Sequence, residues 1–545
     1  MAEEEKPLMF HEMELDDRIL KAVAKLGWQT PTLIQEKAIP LLLEGKDVLV
    51  KARTGSGKTA AFAIPVIQKI LNFKQTSMHQ EIKAVILAPS KELCHQICKV
   101  VKDLTIKCSR EVKCIDIAQQ EDLTVQKPLL VEKPDIVITT PSKALQHLKA
   151  GNLNLKKSLE IIVIDEADLV FSFGYEDEVK QLLEYLPNIY QAILASATLS
   201  NDVKSLKERI LHNPVTLKLE EPELAPASQL THYHLKAEEL DKATILYALL
   251  KLHLIRGKTI IFVNTVDKCY KIKLYLEQFG IRACVLNSEL PATIRCHSVN
   301  QFNHGIYDII VASDEKALEE PGNANQNRQI KSKRQKDKNS GVSRGIDFQF
   351  VANVINFDFP LDAHSYIHRA GRTARGNNQG SVLSFVSIKE TPLLDEVEDK
   401  LKHCEGTSIF KSYQFRLEEV EAFKYRAKDA WRAVTKIAVR EARLKEIKQE
   451  IFNCQKLKSY FEDNPNDLQI LRHDKALHTV RVQQHLSDVP EYIIPETLKN
   501  ITGISKRTKR KRNFNKSENK KFKGKQNNPL ACMEFVGFKK KKVAK

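Results

Sequence analysis

Thr54-Gly55-Ser56-Gly57-Lys58-Thr59 brings together the residue types that hold a polyphosphate. Glycines let backbone N–H groups close around phosphate oxygens, the ammonium of Lys58 reaches the outer phosphates, and the hydroxyl of Thr59 suits a magnesium ion. Further along, Asp165-Glu166-Ala167-Asp168 offers carboxylates. Asp165 is placed to hold Mg²⁺ through water, and Glu166 to orient and deprotonate an attacking water. The two stretches together predict binding and hydrolysis of a nucleoside triphosphate. The strict phosphate-loop pattern has glycine where Ala52 stands, so the flanking sequence must carry part of the argument.

That flanking sequence is a strand, a loop and a helix. Apolar Val48-Leu49-Val50 precedes the glycines and helix-prone Ala60-Ala61-Phe62-Ala63-Ile64 follows them. Ile161 to Ile164 reads as a fully buried strand ending at Asp165, and ligands in such folds collect at the carboxyl ends of strands. From Ile19 to Glu220, short β-rich runs (Lys83 to Leu87, Asp135 to Thr139, Gln191 to Ala195) alternate with helical patterns, predicting a parallel sheet covered on both faces. Glu221 to Pro226 reads as a linker. The rhythm then resumes with Thr259 to Val263, Ala283 to Leu286, Ile309 to Ala312 and Val354 to Phe357. The α/β chain thus divides into residues 1–222, a second α/β domain over 223–410, a helical extension over 411–500 and a basic tail over 501–545. Within the extension, Leu417, Val420, Phe423, Ala427, Ala430, Val434 and Ile437 predict one long amphipathic helix packed on the second domain.

The net charge is +17, and its distribution says more than its total: Lys506 to Lys545 holds 16 Lys and Arg against two Glu. Such a tail predicts a polyanionic partner and, in Lys506 to Arg512, a nuclear localisation signal. The ten cysteines form no C-x-x-C pair, which signals neither a zinc site nor a disulfide framework and reads as reduced thiols. No apolar run approaches the roughly 18 residues of a membrane span, and the acidic start is unlike a leader. The expectation is a soluble intracellular protein without a membrane partner.

The loop, Asp165 to Asp168, Ser196-Ala197-Thr198 and His368-Arg369-Ala370-Gly371-Arg372-Thr373-Ala374-Arg375 stand in the order and spacing of the DEAD-box RNA helicases, which the chain resembles from about Phe10 to about Ser387. The resemblance implies two RecA-like domains closing on ATP, Mg²⁺ and one RNA strand, with a monomeric core. It implies that Phe10 stacks on adenine while Gln35 reads its edge, and that Thr54, Gly55, Ser56, Gly57, Lys58 and Thr59 hold the phosphates. Gly345 and Asp347 would face the ribose side, Arg372 and Arg375 would act as arginine fingers, and Asp168, Ser196, Thr198 and His368 would couple the domains. RNA would meet Pro89, Ser90, Lys91, Thr140, Pro141, Lys143, Arg295 and Ser313. Tyr413-Gln414-Phe415-Arg416, Tyr460 to Pro465 and the basic tail resemble one nucleolar subfamily, the fifty-six type, associated with large ribosomal subunit assembly.

The chain departs from the family pattern on the RNA side. Pro89-Ser90-Lys91-Glu92-Leu93 replaces P-T-R-E-L and Thr140-Pro141-Ser142-Lys143 replaces T-P-G-R, so a bidentate arginine fork is lost twice. Ile117-Ala118-Gln119-Gln120 lacks the family's glycine pair, and Leu286-Asn287-Ser288-Glu289 stands for L-H-G. Residues 316–343 split one motif between Val311-Ala312-Ser313-Asp314 and Val342-Ser343-Arg344-Gly345-Ile346-Asp347, which predicts a looped-out insertion. Three readings stay open at this point: an RNA-remodelling ATPase, an ATP-regulated RNA clamp with little unwinding, and an ATPase acting on DNA.

Overall fold

The computed structural model describes residues 8–53, 55–76, 79–119, 123–197, 201–219, 224–226, 228–313, 346–375, 378–405, 409–413, 421–453 and 455–473, together with Leu486, Val489 and Ile494. The predicted insertion and the basic tail lie outside the described residues.

Seven strands make the first sheet: β1 Val48–Lys51, β2 Ala84–Leu87, β3 Cys114–Asp116, β4 Ile136–Thr139, β5 Ile161–Ile164, β6 Gln191–Ser196 and β7 Val215–Lys218. They run parallel in the order β3-β4-β2-β5-β6-β1-β7. Every residue of β2, β4 and β5 is buried because helices cover both faces, which is why these strands read as unbroken apolar runs. Alternate side chains enter two cores: Ile86 and Val163 pack on one face, Val85 and Ile162 on the other. Parallel register puts the ends of β1 and β5 on one edge, so the glycine loop and Asp165 emerge side by side.

The second sheet repeats the plan with β8 Leu230–Lys236, β9 Lys258–Val263, β10 Ala283–Leu286, β11 Ile309–Ser313, β12 Val351–Asn356, β13 Gly380–Val386 and β14 Phe410–Ser412. Its order is β10-β11-β9-β12-β13-β8-β14, again parallel throughout. Strands β3, β7, β8, β13 and β14 were not among the predicted runs, since polar residues (His232 and His234 in β8, Thr216 in β7, Ser381 and Ser384 in β13) interrupt the apolar signal.

The predicted single helix of the extension is two, Glu421–Ala433 and Lys436–Asn453. Thr435 makes the break, its hydroxyl accepting the Ala438 N–H at 3.2 Å, as a helix N-cap does. The new start turns Ile437 outward, 58% exposed, and buries Ala438 and Val439 instead. Phe423, Ala427, Ala430 and Val434 do pack on the second domain, and Trp431 stacks on Phe357. Leu417 and Val420 lie outside the described residues.

Candidate active site and nucleic-acid interface

Lys58 opens the helix Lys58–Thr76, and its ammonium stands 3.4 Å from Glu166 Oε1, both side chains almost wholly buried. Burial opposes the ammonium, yet the fields of Glu166, Asp165 and Asp168 prevail and hold its pKa above the usual lysine value. Burial, reinforced by the adjacent Glu166 carboxylate, pushes the Asp165 carboxyl up to about 7 against the pull of Lys58. Asp165 Oδ1 accepts the Glu166 N–H at 2.9 Å, and Glu166 sits at φ 47°, a left-handed backbone that a non-glycine residue adopts only under constraint. The constraint turns three carboxylates toward one lysine.

The loop is fitted as tightly. Gly57 has φ +94°, and a Cβ there would meet Gln35 Nε2 at 2.6 Å and Thr32 Oγ1 at 2.9 Å, so only glycine fits. Gln35 accepts from Thr32 N at 3.0 Å and donates to the Gly57 carbonyl at 3.2 Å. Both ends of the amide predicted to read adenine therefore touch protein, each keeping one further hydrogen-bonding position. Phe10 is buried in the first-domain core, 5% exposed. Thr59 is half-buried in the first turn of the helix, and the carbonyl of buried Ser196 accepts from Ala52 N at 3.2 Å, joining β6 to the loop entry. Asp168 accepts the Leu169 N–H at 3.1 Å. The Ser56 hydroxyl is buried without a partner among the described residues. Thr54, Thr198 and Gly345 lie outside the described residues.

Across the cleft stand His364, His368 and Arg375 of the second domain, facing Ala52, Arg53 and Gly55. The two histidine rings lie edge to face, 4.3 Å between centroids. Arg375 pairs with the Asp347 carboxylate and packs on the phosphate loop, where a Cβ on Gly55 would lie 3.1 Å from Arg375 Cδ. Arg372, the other expected finger, is 1% exposed inside the second domain, donating to the His368 carbonyl at 3.0 Å and the Ile346 carbonyl at 2.8 Å. A guanidinium holding buried carbonyls is a brace for the loop that carries Asp347.

The predicted RNA contacts also divide. Ser90 caps the helix Lys91–Leu104 by accepting Leu93 N–H at 3.3 Å, and Pro141 starts the helix Pro141–Lys149, so both segments present helix N-termini. Lys91 and Lys143 are half-exposed at those ends, while Pro89 and Thr140 are buried beneath them. Gln119 Nε2 donates to the Lys91 carbonyl at 3.1 Å. Ser313 is buried at the end of β11, its hydroxyl without a partner among the described residues. Arg295, also expected to meet RNA, is 3% exposed and meets Glu92, 5% exposed, at 2.7 Å through Nε and 2.6 Å through a terminal nitrogen. A buried pair of this kind bridges the two domains, because a guanidinium taken from water needs a full partner.

A DEAD/DEAH box helicase profile matches residues 32–206, and a helicase conserved C-terminal domain profile matches residues 241–377. The chain is a DEAD-box ATP-dependent RNA helicase. It is 42% identical to ATP-dependent RNA helicase DBP9 of Saccharomyces cerevisiae, over 90% of each chain, and 42% identical to dbp9 of Aspergillus oryzae, over 99% of this chain and 94% of that one. Among solved structures, S. cerevisiae Dbp5 bound to RNA and ADP BeF3 superposes with a TM-score of 0.61 at 25% identity, covering 78% of this chain and all of that one. Mss116p bound to single-stranded RNA and AMP-PNP shares the fold, with a TM-score of 0.65 over 90% of this chain and 97% of that one at 23% identity.

In this helicase the interdomain residues were the hardest to foresee. Glu92 was visible only as part of an RNA-facing motif, and its partner Arg295 only as an expected RNA contact. Gln96, which accepts the Asp347 N–H at 3.1 Å, and Asn303, which bonds the same loop, carried no signal at all. One chemical hint existed: an arginine in a helix otherwise filled by Val299 and Phe302 needs an acidic partner.

Proposed function

We propose that this helicase hydrolyses ATP to remodel ribosomal RNA within pre-ribosomal particles of the large subunit, in the nucleolus. The observation that carries the ATPase part is the buried Lys58–Glu166 pair beside Asp165, with Arg375 across the cleft on the phosphate loop. Glu166 takes the proton of the attacking water, Lys58 holds the outer phosphates, and Arg375 brings positive charge from the second domain only when the cleft closes. The donor set also suits a hard divalent ion: carboxylate oxygens outnumber the one lysine, and Asp165 is held uncomfortably among like charges. Thr59 and Asp165 would hold magnesium, which when bound supplies charge neutralisation at phosphate oxygens.

The ribosomal part rests on the basic tail and on the resemblance to a nucleolar subfamily. With 16 cationic residues against two acidic ones, the segment Lys506 to Lys545 meets a polyanion as an electrostatic tether. Lys91, Lys143 and the helix N-termini beside them contact RNA phosphates, which makes the core indifferent to sequence. Crosslinking the full-length protein to RNA in cells tests the reading directly. Recovery of large-subunit ribosomal RNA is expected, with a truncation after Ser505 losing both nucleolar concentration and part of the salt dependence of RNA binding. Each phosphate contact removed lowers the log–log slope by about 0.7 for a single strand. Crosslinks confined to messenger RNA would overturn it.

A further inference from the structure

Residues 314–345 intervene between the end of β11 and Ile346, so continuity with the sheet does not fix where Asp347 lies. Side-chain bonds do. Asn303, at the end of the helix Ala292–Asn303, donates to the Asp347 carbonyl at 3.2 Å and accepts the Gln349 N–H at 2.9 Å, and its own carbonyl accepts from Lys258 at 2.9 Å. Phe348, 1% exposed, packs edge-on against Phe302, and Arg372 braces Ile346. All of these belong to the second domain. The remaining bond to this loop comes from the first: Gln96 accepts the Asp347 N–H at 3.1 Å. The Asp347 carboxylate in turn pairs with Arg375, which lies on Gly55.

Gln96 stands one turn along the helix Lys91–Leu104, whose first residues are the RNA-facing Ser90 and Lys91 and whose Glu92 grips Arg295. That helix therefore touches the RNA face, the helix Ala292–Asn303 through Glu92 and, through Gln96, the loop that holds the finger.

We infer that Gln96 is a positioning residue that couples RNA binding to ATP hydrolysis: by holding the peptide of Asp347, it lets the setting of the RNA-side helix determine where Arg375 stands. The inference rests on the ATPase reading above. The physical element is an acceptor available only when the domains meet, so it biases the closed arrangement rather than either domain alone. Glutamate keeps the acceptor that meets the Asp347 N–H, and leucine lacks it.

The test uses the full-length protein with Gln96→Leu and Gln96→Glu, measuring ATP turnover with and without a single-stranded homopolymer RNA, and RNA affinity without nucleotide. Q96L is expected to lower the ratio of RNA-stimulated to RNA-free turnover about 2- to 30-fold, with nucleotide-free RNA affinity unchanged, and Q96E to keep at least half of the stimulation. A wild-type ratio in Q96L, an equal fall with and without RNA, or a Q96E variant as poor as Q96L would overturn the coupling role. Absence of RNA stimulation in the wild-type protein would instead overturn the ATPase reading on which it rests. Gln96 is half-exposed, so both variants are expected to fold, and a melting curve checks it.

Discussion

At the nucleotide cleft Lys58 and Glu166 meet at 3.4 Å in near-complete burial, whereas Lys91 and Lys143, the cations proposed to meet RNA, are half-exposed charges at helix ends. The first site cannot change a letter cheaply. Removing one member of a buried pair leaves an uncompensated charge, at about 3–5 kcal/mol. The second tolerates lysine for arginine, because a solvated cation still attracts phosphate and gives up only the planar fork. Burial explains why one motif set is intact in this sequence and the other has drifted. It also gives Arg295 and Arg372 protein partners, Glu92 for one and the His368 and Ile346 carbonyls for the other.

The sharpest way to break this contrast is to separate the two arginines. Arg375→Ala is expected to lower RNA-stimulated turnover about 10³–10⁵-fold with little change in melting temperature, because Arg375 serves the cleft. Arg372→Ala is expected to lower the melting temperature, because the His368 and Ile346 carbonyls lose a charged donor. Equal loss of turnover with normal melting in both would return Arg372 to the finger role.

Glu166→Gln comes next, with turnover expected to fall about 10²–10⁴-fold while ATP binding persists. The amide keeps the shape but cannot take a proton. Undiminished hydrolysis in the purified variant would move the base elsewhere. On the RNA face the expected change runs the other way: Lys91→Arg with Lys143→Arg should tighten RNA binding about 3- to 10-fold by restoring the fork. Unchanged affinity would mean that these ends do not meet phosphate.

The sequence showed the two-sheet plan through strands that are unbroken apolar runs: β2, β4, β5 and β9 announced themselves, whereas buried β13 did not, Ser381 and Ser384 interrupting it. Edge or mixed strands such as β7 and β8 did not, since half-polar residues resemble loops. Within the site, local motifs were legible because one loop or one strand end delivers all the groups, as with Gly55 to Thr59. The pairs Glu92–Arg295, Gln96–Asp347 and Asn303–Asp347 join residues distant in sequence, and only the tertiary fold brings them together. The break at Thr435 was legible in principle, a threonine three residues before the accepting turn, but the apolar periodicity masked it.

The smallest expected effect distinguishes both regions from the scaffold beneath them. His232 of β8 is 3% exposed and faces the Tyr366 hydroxyl at 2.7 Å, and burial lowers its pKa from 6.5 to about 4. Between those values the unfolded chain binds a proton that the folded domain refuses, so stability rises with pH across the window. The contribution is complete above about pH 6.5 and is lost as pH falls toward 4, amounting to about 3 kcal/mol. His232→Asn should therefore flatten the pH dependence of the melting temperature between pH 4 and 6.5 and leave turnover at pH 7.5 within about twofold, because His232 is buried against Tyr366 and does not itself line the cleft. If turnover in the wild-type protein falls on acidification along the same curve as melting, the loss belongs to the second domain's core and strikes cleft and RNA face equally. If the variant's melting keeps the wild-type slope, the refused proton belongs to another buried group and His232 is not its source.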